Sequence, residues 1–229
     1  MTEDLEAFYA YPPGDRTYVR AALVQTSDGA LGGADQTSHA ITRPADQRAL
    51  ATMRRLADVI LIGGNTVRQE GFGRRPPPDG MAVAALRPDM PVAVISASLR
   101  LDPESSLFTD ATTRPYVFTT ATAPTAGRTA LAAVATVVTS EEPRVPMTLV
   151  LDTLARDGLV RVLCEAGPNV LAQLGDADLL DEVCLTTVPE RSSWDAPRFV
   201  LPAGMVLAGT REEDGLRFDR YVRSTSAKS

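Results

Sequence analysis

Residues 57–73 read Ala57-Asp-Val-Ile-Leu-Ile-Gly-Gly-Asn-Thr-Val-Arg-Gln-Glu-Gly-Phe-Gly73. The four apolar residues from Val59 to Ile62 are typical of a strand that is buried on both faces of a parallel sheet. Gly63 and Gly64 follow at once, and the Asn or Thr behind them can cap a helix. A strand, a glycine turn and a helix start suit the binding of a phosphate or carboxamide, but a simple chain reversal explains the same residues. Neither G-x-G-x-x-G nor G-K-S/T is present, so this stretch alone leaves both interpretations open.

The bulk composition is that of an ordinary globular chain. With 229 residues it is long enough for one large α/β domain and short for two. Charged residues make up 23%, and the formal net charge of -6 argues against a general binder of nucleic acids or anionic membranes. No run approaches the ~18–20 apolar residues of a membrane span, and the acidic N-terminal segment does not resemble a signal peptide. We expect a soluble, cytoplasmic protein with no nucleic-acid or membrane partner.

Cysteine and histidine usage excludes several kinds of site. Cys164 and Cys184 lie in apolar runs without the spacing of metal ligands, which predicts buried, reduced thiols. The single histidine, His39, rules out a histidine-rich metal site and any Ser-His triad that does not use this residue. We therefore predict no metal cofactor.

Strands and helices are predicted in alternation, and a β-rich tail follows them. The predicted strands are 18–25, 59–62, 92–96, 116–119, 136–139, 160–165 and 183–188. Helices are predicted at 44–56, 125–134 and 147–156, and a further one begins at Pro168. Asp214-Gly215 between apolar runs indicates an antiparallel hairpin. This order predicts one α/β domain over residues 18–229, with a mostly parallel central sheet, antiparallel C-terminal edge strands, and residues 1–17 as an arm lying on the body.

Ligands of open α/β sheets bind at the carboxyl ends of the strands. Those ends here supply two glycine-bearing helix starts, several hydroxyl groups and two carboxylates. They are Thr26-Ser-Asp-Gly29, Gly63-Gly-Asn-Thr66, Ser96-Ala-Ser98, Thr119-Thr120 and Glu165-Ala-Gly-Pro168. With arginines nearby in sequence, the combination suits a doubly phosphorylated ligand that carries a polar heterocycle. Taken singly, Asp28-Gly29 is an ordinary turn and each arginine an ordinary solvated charge.

Four separated motifs, which lie in the right order over about residues 18–190, resemble the reductase domain of riboflavin biosynthesis. This pyrimidine reductase, of the RibD C-terminal-domain type, is related to dihydrofolate reductase. The motifs are Thr26-Ser-Asp-Gly29, Ser38-His-Ala-Ile-Thr-Arg-Pro44 with the Arg54 helix, the stretch from Ala57 to Val67, and Glu165-Ala-Gly-Pro168. The resemblance implies a dihydrofolate-reductase-like three-layer α/β/α fold, a homodimer and NADPH. The implied reaction reduces the ribosyl group of 5-amino-6-(5-phosphoribosylamino)uracil to a ribityl chain.

The resemblance also assigns site residues, position by position. The cofactor would lie against Val24, Gly63, Gly64, Thr66, Glu70, Ser96, Gly167, Pro168, Asn169, Val170 and Leu171. The substrate would meet Asp28, Ser38, Arg54, Arg74, Arg75 and Glu165. Among these, Arg54 would hold the phosphate with Arg74 or Arg75 as helpers, and Glu165 would accept hydrogen bonds from pyrimidine N–H groups. For the proton that the reaction needs, Asp28 or a water that it orients is the first candidate, and Glu165 is the second.

Departures from the family pattern keep rival functions open. Ala166 replaces the first glycine of Glu-Gly-Gly-Pro, which is harmless at a negative φ and damaging at a positive φ. Ser27, Ala40, Glu70 and Gly71-Phe-Gly73 also differ, on the side of the substrate. The alternatives are an NADPH-dependent reductase of a pterin such as dihydrofolate or of another small substrate, and a non-catalytic nucleotide-binding protein. We do not expect the family's common partner, a zinc deaminase domain, because its H-x-E and P-C-x-x-C motifs cannot be built from this sequence.

Overall fold

A nine-stranded sheet forms the centre of the computed structural model, which describes residues 2–32, 38, 40–69, 71–73, 86–192 and 198–224. Its strands are β1 (Tyr18–Thr26), β2 (Val59–Gly63), β3 (Val92–Ile95), β4 (Tyr116–Thr120), β5 (Thr136–Ser140), β6 (Arg161–Cys164), β7 (Glu182–Val188), β8 (Met205–Glu213) and β9 (Leu216–Arg223). They lie in the order β5-β4-β3-β2-β6-β1-β7-β9-β8. The strands from β5 to β7 are parallel, whereas β9 and β8 are antiparallel. The predicted sheet, mostly parallel with antiparallel C-terminal edge strands, is confirmed.

The described residues also form seven helices. These are α1 (Thr2–Phe8), α2 (Pro44–Leu56), α3 (Gly64–Gln69), α4 (Ser106–Thr109), α5 (Thr125–Val134), α6 (Met147–Arg156) and α7 (Pro168–Asp176). Helices α2 and α7 begin at a proline, whose fixed φ suits the first turn of a helix. Within the described part of the chain, none of them is long and apolar enough to cross a membrane.

Both faces of β2 are covered, which explains its uninterrupted apolar sequence. Val59 and Leu61 belong to a core cluster that α6 and α7 cover on one face of the sheet. Ile60 contributes to a second cluster on the other face, together with α4 and α5. Leu163, the register partner of Ile60, extends that second face into a cluster with α1 and α2. Helices therefore cover both faces of the sheet, and the predicted three-layer α/β/α fold is confirmed.

Buried charges hold the N-terminal segment against the sheet. Arg20 donates to the carbonyl oxygen of Tyr9 at 2.7 Å, and Arg220 donates to the carbonyl oxygen of Phe8. Glu182 lies between the two arginines and accepts from Nε of Arg20 at 2.9 Å and from Nε of Arg220 at 2.6 Å. The segment that we expected as an arm thus includes a short helix, α1, which contacts α2.

Strands β8 and β9 form the predicted hairpin at the edge of the sheet. Asp214 and Gly215 connect them with positive φ angles of 52° and 76°, as a tight two-residue hairpin turn requires. Strand β9 then pairs with β7, so the hairpin extends the sheet beyond β7.

Candidate active site

The carboxyl ends of four adjacent strands, β2, β6, β1 and β7, surround a cleft of about 360 Å³. Because these strands are parallel, the turns that follow them meet at one edge of the sheet. The cleft brings together eight of the predicted site residues. They are Val24, Ser38, Arg54, Thr66, Glu165, Gly167, Pro168 and Leu171. Residues assigned to the cofactor and residues assigned to the substrate therefore share one cavity.

The two glycine-bearing turns converge on the hydroxyl group of Thr66. A Cβ atom at Gly63 or at Gly167 would lie 3.8 Å from Thr66 Oγ1. Gly64 has a different role, because a Cβ atom there would lie 2.7 Å from Ser96 Oγ and 2.9 Å from Ser96 Cβ. The missing side chain at Gly64 thus allows the start of α3 to pack directly on the segment after β3.

Ser96 supports this turn from the side. It is buried, and its hydroxyl oxygen accepts the backbone N–H of Leu99 at 3.1 Å. Ser96, Gly63, Gly64, Asn169 and Val170 are not among the residues that line the cleft.

Arg54 and Glu165 form a buried ion pair at the cleft. Arg54 Nε donates to Glu165 Oε1 at 2.8 Å, and its Nη2 donates to Oε2 at 2.6 Å, which is a bidentate geometry. The side chains are only 8% and 9% exposed. Burial alone would lower the pKa of Arg54, but the charge and hydrogen bonds of Glu165 raise it above its ordinary value. Two predicted substrate residues therefore meet as each other's partners, and a phosphate at Arg54 would have to share its guanidinium with Glu165.

Asp46 is an acidic residue of the cleft that sequence reasoning missed. It lies in the first turn of α2, lines the cleft and is only 8% exposed. Burial raises the pKa of Asp46 above its ordinary value, and the charge of Glu165 raises it further, while the hydroxyls of Thr186 and Thr42 act in the opposite direction. Asp46 has no distinguishing signal in the sequence, because an acid in the first turn of a helix is common for electrostatic reasons alone.

Asp28 is held by neighbours outside the cleft lining. Its Oδ1 accepts the hydroxyl of Thr26 at 2.7 Å and the backbone N–H of Ser192 at 2.9 Å, and its Oδ2 lies 3.4 Å from Nη2 of Arg198. The N–H of Ser192, the Thr26 hydroxyl and the Arg198 charge lower the pKa of Asp28 to about 2. A carboxylate that is ionised at neutral pH has no proton to donate. Of the two roles predicted for Asp28, direct proton donation and orientation of a water, this environment is compatible only with the second.

Three of the predicted residues, Glu70, Arg74 and Arg75, lie outside the described residues. Within the described part, no group of three or more His, Cys, Asp or Glu side chains could hold a metal ion. Cys164 is fully buried, as predicted, and burial raises the pKa of its thiol to about 12. Ala166 is not among the described residues with a positive φ, so its methyl group is accommodated without backbone strain.

The sequence and the fold both have known relatives. Residues 17–190 match the family model described as the RibD C-terminal domain. A pyrimidine reductase-like protein from Corynebacterium diphtheriae is 22% identical over 95% of this chain and 98% of its own, with a TM-score of 0.79. The riboflavin biosynthesis reductase of Saccharomyces cerevisiae is 15% identical over 96% of this chain and 100% of its own, with a TM-score of 0.67.

A longer protein from Thermotoga maritima has the same fold in part of its length. This diaminohydroxyphosphoribosylaminopyrimidine deaminase/5-amino-6-(5-phosphoribosylamino)uracil reductase is 17% identical, with a TM-score of 0.69. The match covers 91% of this chain but only 57% of the Thermotoga protein. At these identities the structures establish the fold. No curated protein sequence matches the chain.

Proposed function

We propose that this chain, which belongs to the RibD C-terminal domain family of riboflavin-biosynthesis reductases, uses NADPH to reduce the ribosyl group of 5-amino-6-(5-phosphoribosylamino)uracil, or of a close analogue, to a ribityl chain. The observation that carries the proposal is the shared cleft. There the glycine turns after β2 and β6 adjoin a buried Arg54–Glu165 pair.

The residues on one side of the cleft fit a dinucleotide cofactor. Gly167 is the N-cap of the nine-residue helix α7, and no side chain caps that helix. The positive end of the helix dipole at such a start favours an anionic group such as a pyrophosphate. Gly167 lines the cleft beside Thr66 and has no side chain there, so a cofactor phosphate can approach its backbone closely. When bound, NADPH supplies the hydride from C4 of its nicotinamide.

The residues on the other side fit a pyrimidine. Two hydrogen bonds from Arg54 fix the plane of the Glu165 carboxylate. An oriented carboxylate of this kind can accept N–H groups of the substrate ring while its position stays constant. Arg54 is therefore a positioning residue for Glu165 in this proposal. We also propose that Arg54 binds the substrate phosphate, with Arg74 or Arg75 as helpers. Leu50, Met53 and Phe72 supply apolar lining that limits the entry of water.

One observation favours a pterin as a second candidate substrate. The cleft presents two carboxyl groups, Asp46 and Glu165, and its Arg54 is already in an ion pair. Such a lining suits a ring that is rich in N–H donors and carries no phosphate close to them.

Turnover distinguishes the candidates directly. The purified protein is titrated with NADPH and NADH, and loss of absorbance at ~340 nm, the absorption of the reduced nicotinamide cofactor, is then followed with the riboflavin precursor and with dihydrofolate. Oxidation of NADPH by the precursor is the expected result. Oxidation of NADPH by dihydrofolate alone would indicate that the substrate is a pterin. Binding without turnover of either substrate would leave a non-catalytic nucleotide-binding protein.

We also propose that the protein is a homodimer, as the family resemblance implies. Val206 and Leu207 on the edge strand β8 are 49% and 56% exposed, and Val200 nearby in sequence is 81% exposed. Apolar residues at a sheet edge suit contact with another chain. Light scattering on the purified protein should give twice the mass of one chain, and a monomer would refute this part of the proposal.

A further inference from the structure

Reduction requires a proton as well as a hydride, and neither Asp28 nor Glu165, the two donors that the resemblance suggested, is arranged to provide it. Asp28 is ionised and does not line the cleft. The oxygens of Glu165 accept two guanidinium hydrogen bonds, which is the bonding pattern of a carboxylate. We infer that Asp46, buried in the cleft at the start of α2, is the catalytic acid that gives the substrate its proton as the hydride is transferred. This inference rests on the proposed reductase function.

Asp46 lies in the part of the cleft where a substrate bound at Glu165 would extend. It lies on the same helix as Arg54, about 12 Å earlier along the helix axis at 1.5 Å per residue. Both residues line the cleft, and Glu165 is bound to Arg54 at the far end. A pyrimidine ring with its attached sugar fits that span, so a ring bound at Glu165 can present the reacting carbon and nitrogen towards Asp46.

The hydroxyl groups of Thr42 and Thr186 are hydrogen-bond partners of Asp46, and both lower its pKa, against the effect of burial. Thr42 also donates to the carbonyl oxygen of Ser38 at 2.9 Å. A hydroxyl group has only one proton, so the hydrogen bond to Ser38 weakens the effect of Thr42 on Asp46.

Charged and titratable groups from several elements face Asp46. Glu165, after β6, carries a negative charge that disfavours a second one, and Arg54 offsets part of that charge. Tyr9, after α1, is within electrostatic range and stays neutral, because burial raises the pKa of its phenol. Thr186, Thr42 and the positive end of α2 favour the ionised form. The balance raises the pKa of Asp46, which brings it closer to the value that suits an acid catalyst near neutral pH.

The proposed step balances in atoms and electrons. The hydride adds two electrons and a hydrogen to the anomeric carbon of the opened, imine form of the substrate. The electron pair of the C=N bond moves to nitrogen, and nitrogen takes the proton of the Asp46 carboxyl. The substrate is reduced, NADPH is oxidised to NADP⁺, and the Asp46 carboxylate regains a proton from solvent.

The test compares Asp46→Asn with the wild type and with Asp152→Asn, a control at an exposed position on α6. NADPH binding is measured by fluorescence titration, and single-turnover hydride transfer to the riboflavin precursor is followed across pH. We expect Asp46→Asn to bind NADPH within about twofold of the wild type and to lose about 10²–10⁴-fold in hydride transfer. The wild-type rate should fall as pH rises through the pKa of Asp46, and Asp46→Asn should lack that fall. Asp152→Asn should match the wild type.

An infrared titration supplies a readout that does not depend on turnover. The wild type should show a protonated-carboxyl band that disappears at higher pH than for an ordinary aspartic acid, and Asp46→Asn should lack that band. An Asp46→Asn enzyme with the wild-type rate and pH profile would overturn the inference while leaving the reductase function intact. A wild type that reduces neither the precursor nor dihydrofolate would overturn both. If Asp46→Asn does not fold, Asp46→Glu is used in its place. A wild-type rate of hydride transfer in Asp46→Glu, without the fall in rate as pH rises, would then contradict the inference.

Discussion

Removing one partner of the buried ion pair between Arg54 and Glu165 should destabilise the protein far more than removing one partner of an exposed pair. Both side chains are less than a tenth exposed, and the two N–O distances are 2.6 and 2.8 Å. Removing one partner of a buried pair leaves the other charge buried and unbalanced, which costs about 3–5 kcal/mol. We expect Arg54→Met and Glu165→Leu each to lower the free energy of unfolding by about that amount.

The double variant Arg54→Met/Glu165→Leu removes both charges together. Since apolar residues of similar volume can replace a buried pair with little or no loss, it should be more stable than either single variant by at least about 2 kcal/mol. Urea denaturation followed by circular dichroism measures all three. The matched control is Arg55→Met, the next residue of α2, whose ion pair with Glu6 is 41% and 49% exposed. It should cost less than about 1 kcal/mol.

Two results would refute the reasoning. Single variants that cost no more than Arg55→Met would show that the Arg54–Glu165 pair behaves as a solvated one. Additive effects in the double variant would show that the two side chains contribute independently. The same proteins test the phosphate role of Arg54: if it binds the substrate phosphate, Arg54→Met should raise KM for the phosphorylated precursor more than for its dephosphorylated form.

Three further predictions concern the turns around the cleft. Gly64→Ala should destabilise the protein by about 1–3 kcal/mol through overpacking against Ser96. In urea denaturation, adding Ser96→Gly should restore part of that loss, whereas additive losses in the double variant would exclude the contact as the cause. Ala166→Gly, although it restores the family residue, should lower the urea midpoint, with a loss of about 1 kcal/mol, because it removes a buried methyl group and adds backbone freedom; a higher midpoint would contradict the φ argument. The lowered pKa of Asp28, about 2, means that its contribution to stability is complete above its unfolded-state pKa and is lost as pH falls through about 2. The difference in urea midpoint between wild type and Asp28→Asn should therefore shrink from pH ~5 to pH ~2, and a constant difference would show that the charge of Asp28 is not responsible.

The lengths of the apolar runs, and the glycine and proline residues at their ends, made most of the fold predictable. The apolar run of β2 is short, continuous and followed by glycines, and the structure buries all five of its residues. Proline at the start of α2 and α7 marked both helices correctly. Helix α4, with four residues, is too short to produce a helical period, and α1 is stabilised by the carbonyl contacts of Arg20 and Arg220 rather than by a pattern of its own. Such contacts join residues far apart in sequence, which local patterns do not encode.

The site was predictable to the extent that topology determines it. Parallel strands bring their carboxyl ends together, so the sequence alone predicts that Thr66 and Glu165 lie in one cleft. The pairing of Glu165 with Arg54 spans 111 positions and depends on how α2 lies on the sheet. The burial of Asp46 depends on the same packing, since nothing in a first-turn acid distinguishes a solvated one from one that faces a cavity. Orientation and burial, rather than residue type, were therefore what the sequence could not supply.

Three carboxyl groups near the cleft illustrate why this matters for mechanism. Asp28 accepts hydrogen bonds from Thr26 and Ser192 and is an anion at neutral pH. Glu165 is paired with a guanidinium and is arranged as an acceptor. Asp46 is buried near that negative charge, with a neighbouring hydroxyl whose proton is given to another group. Identical chemistry in three environments yields an anchor, a hydrogen-bond acceptor and an acid, because the pKa follows burial and partners. The assignment of the proton donor therefore has to come from the packing around α2, and Asp46 is the carboxyl group that this packing favours for the protonated state.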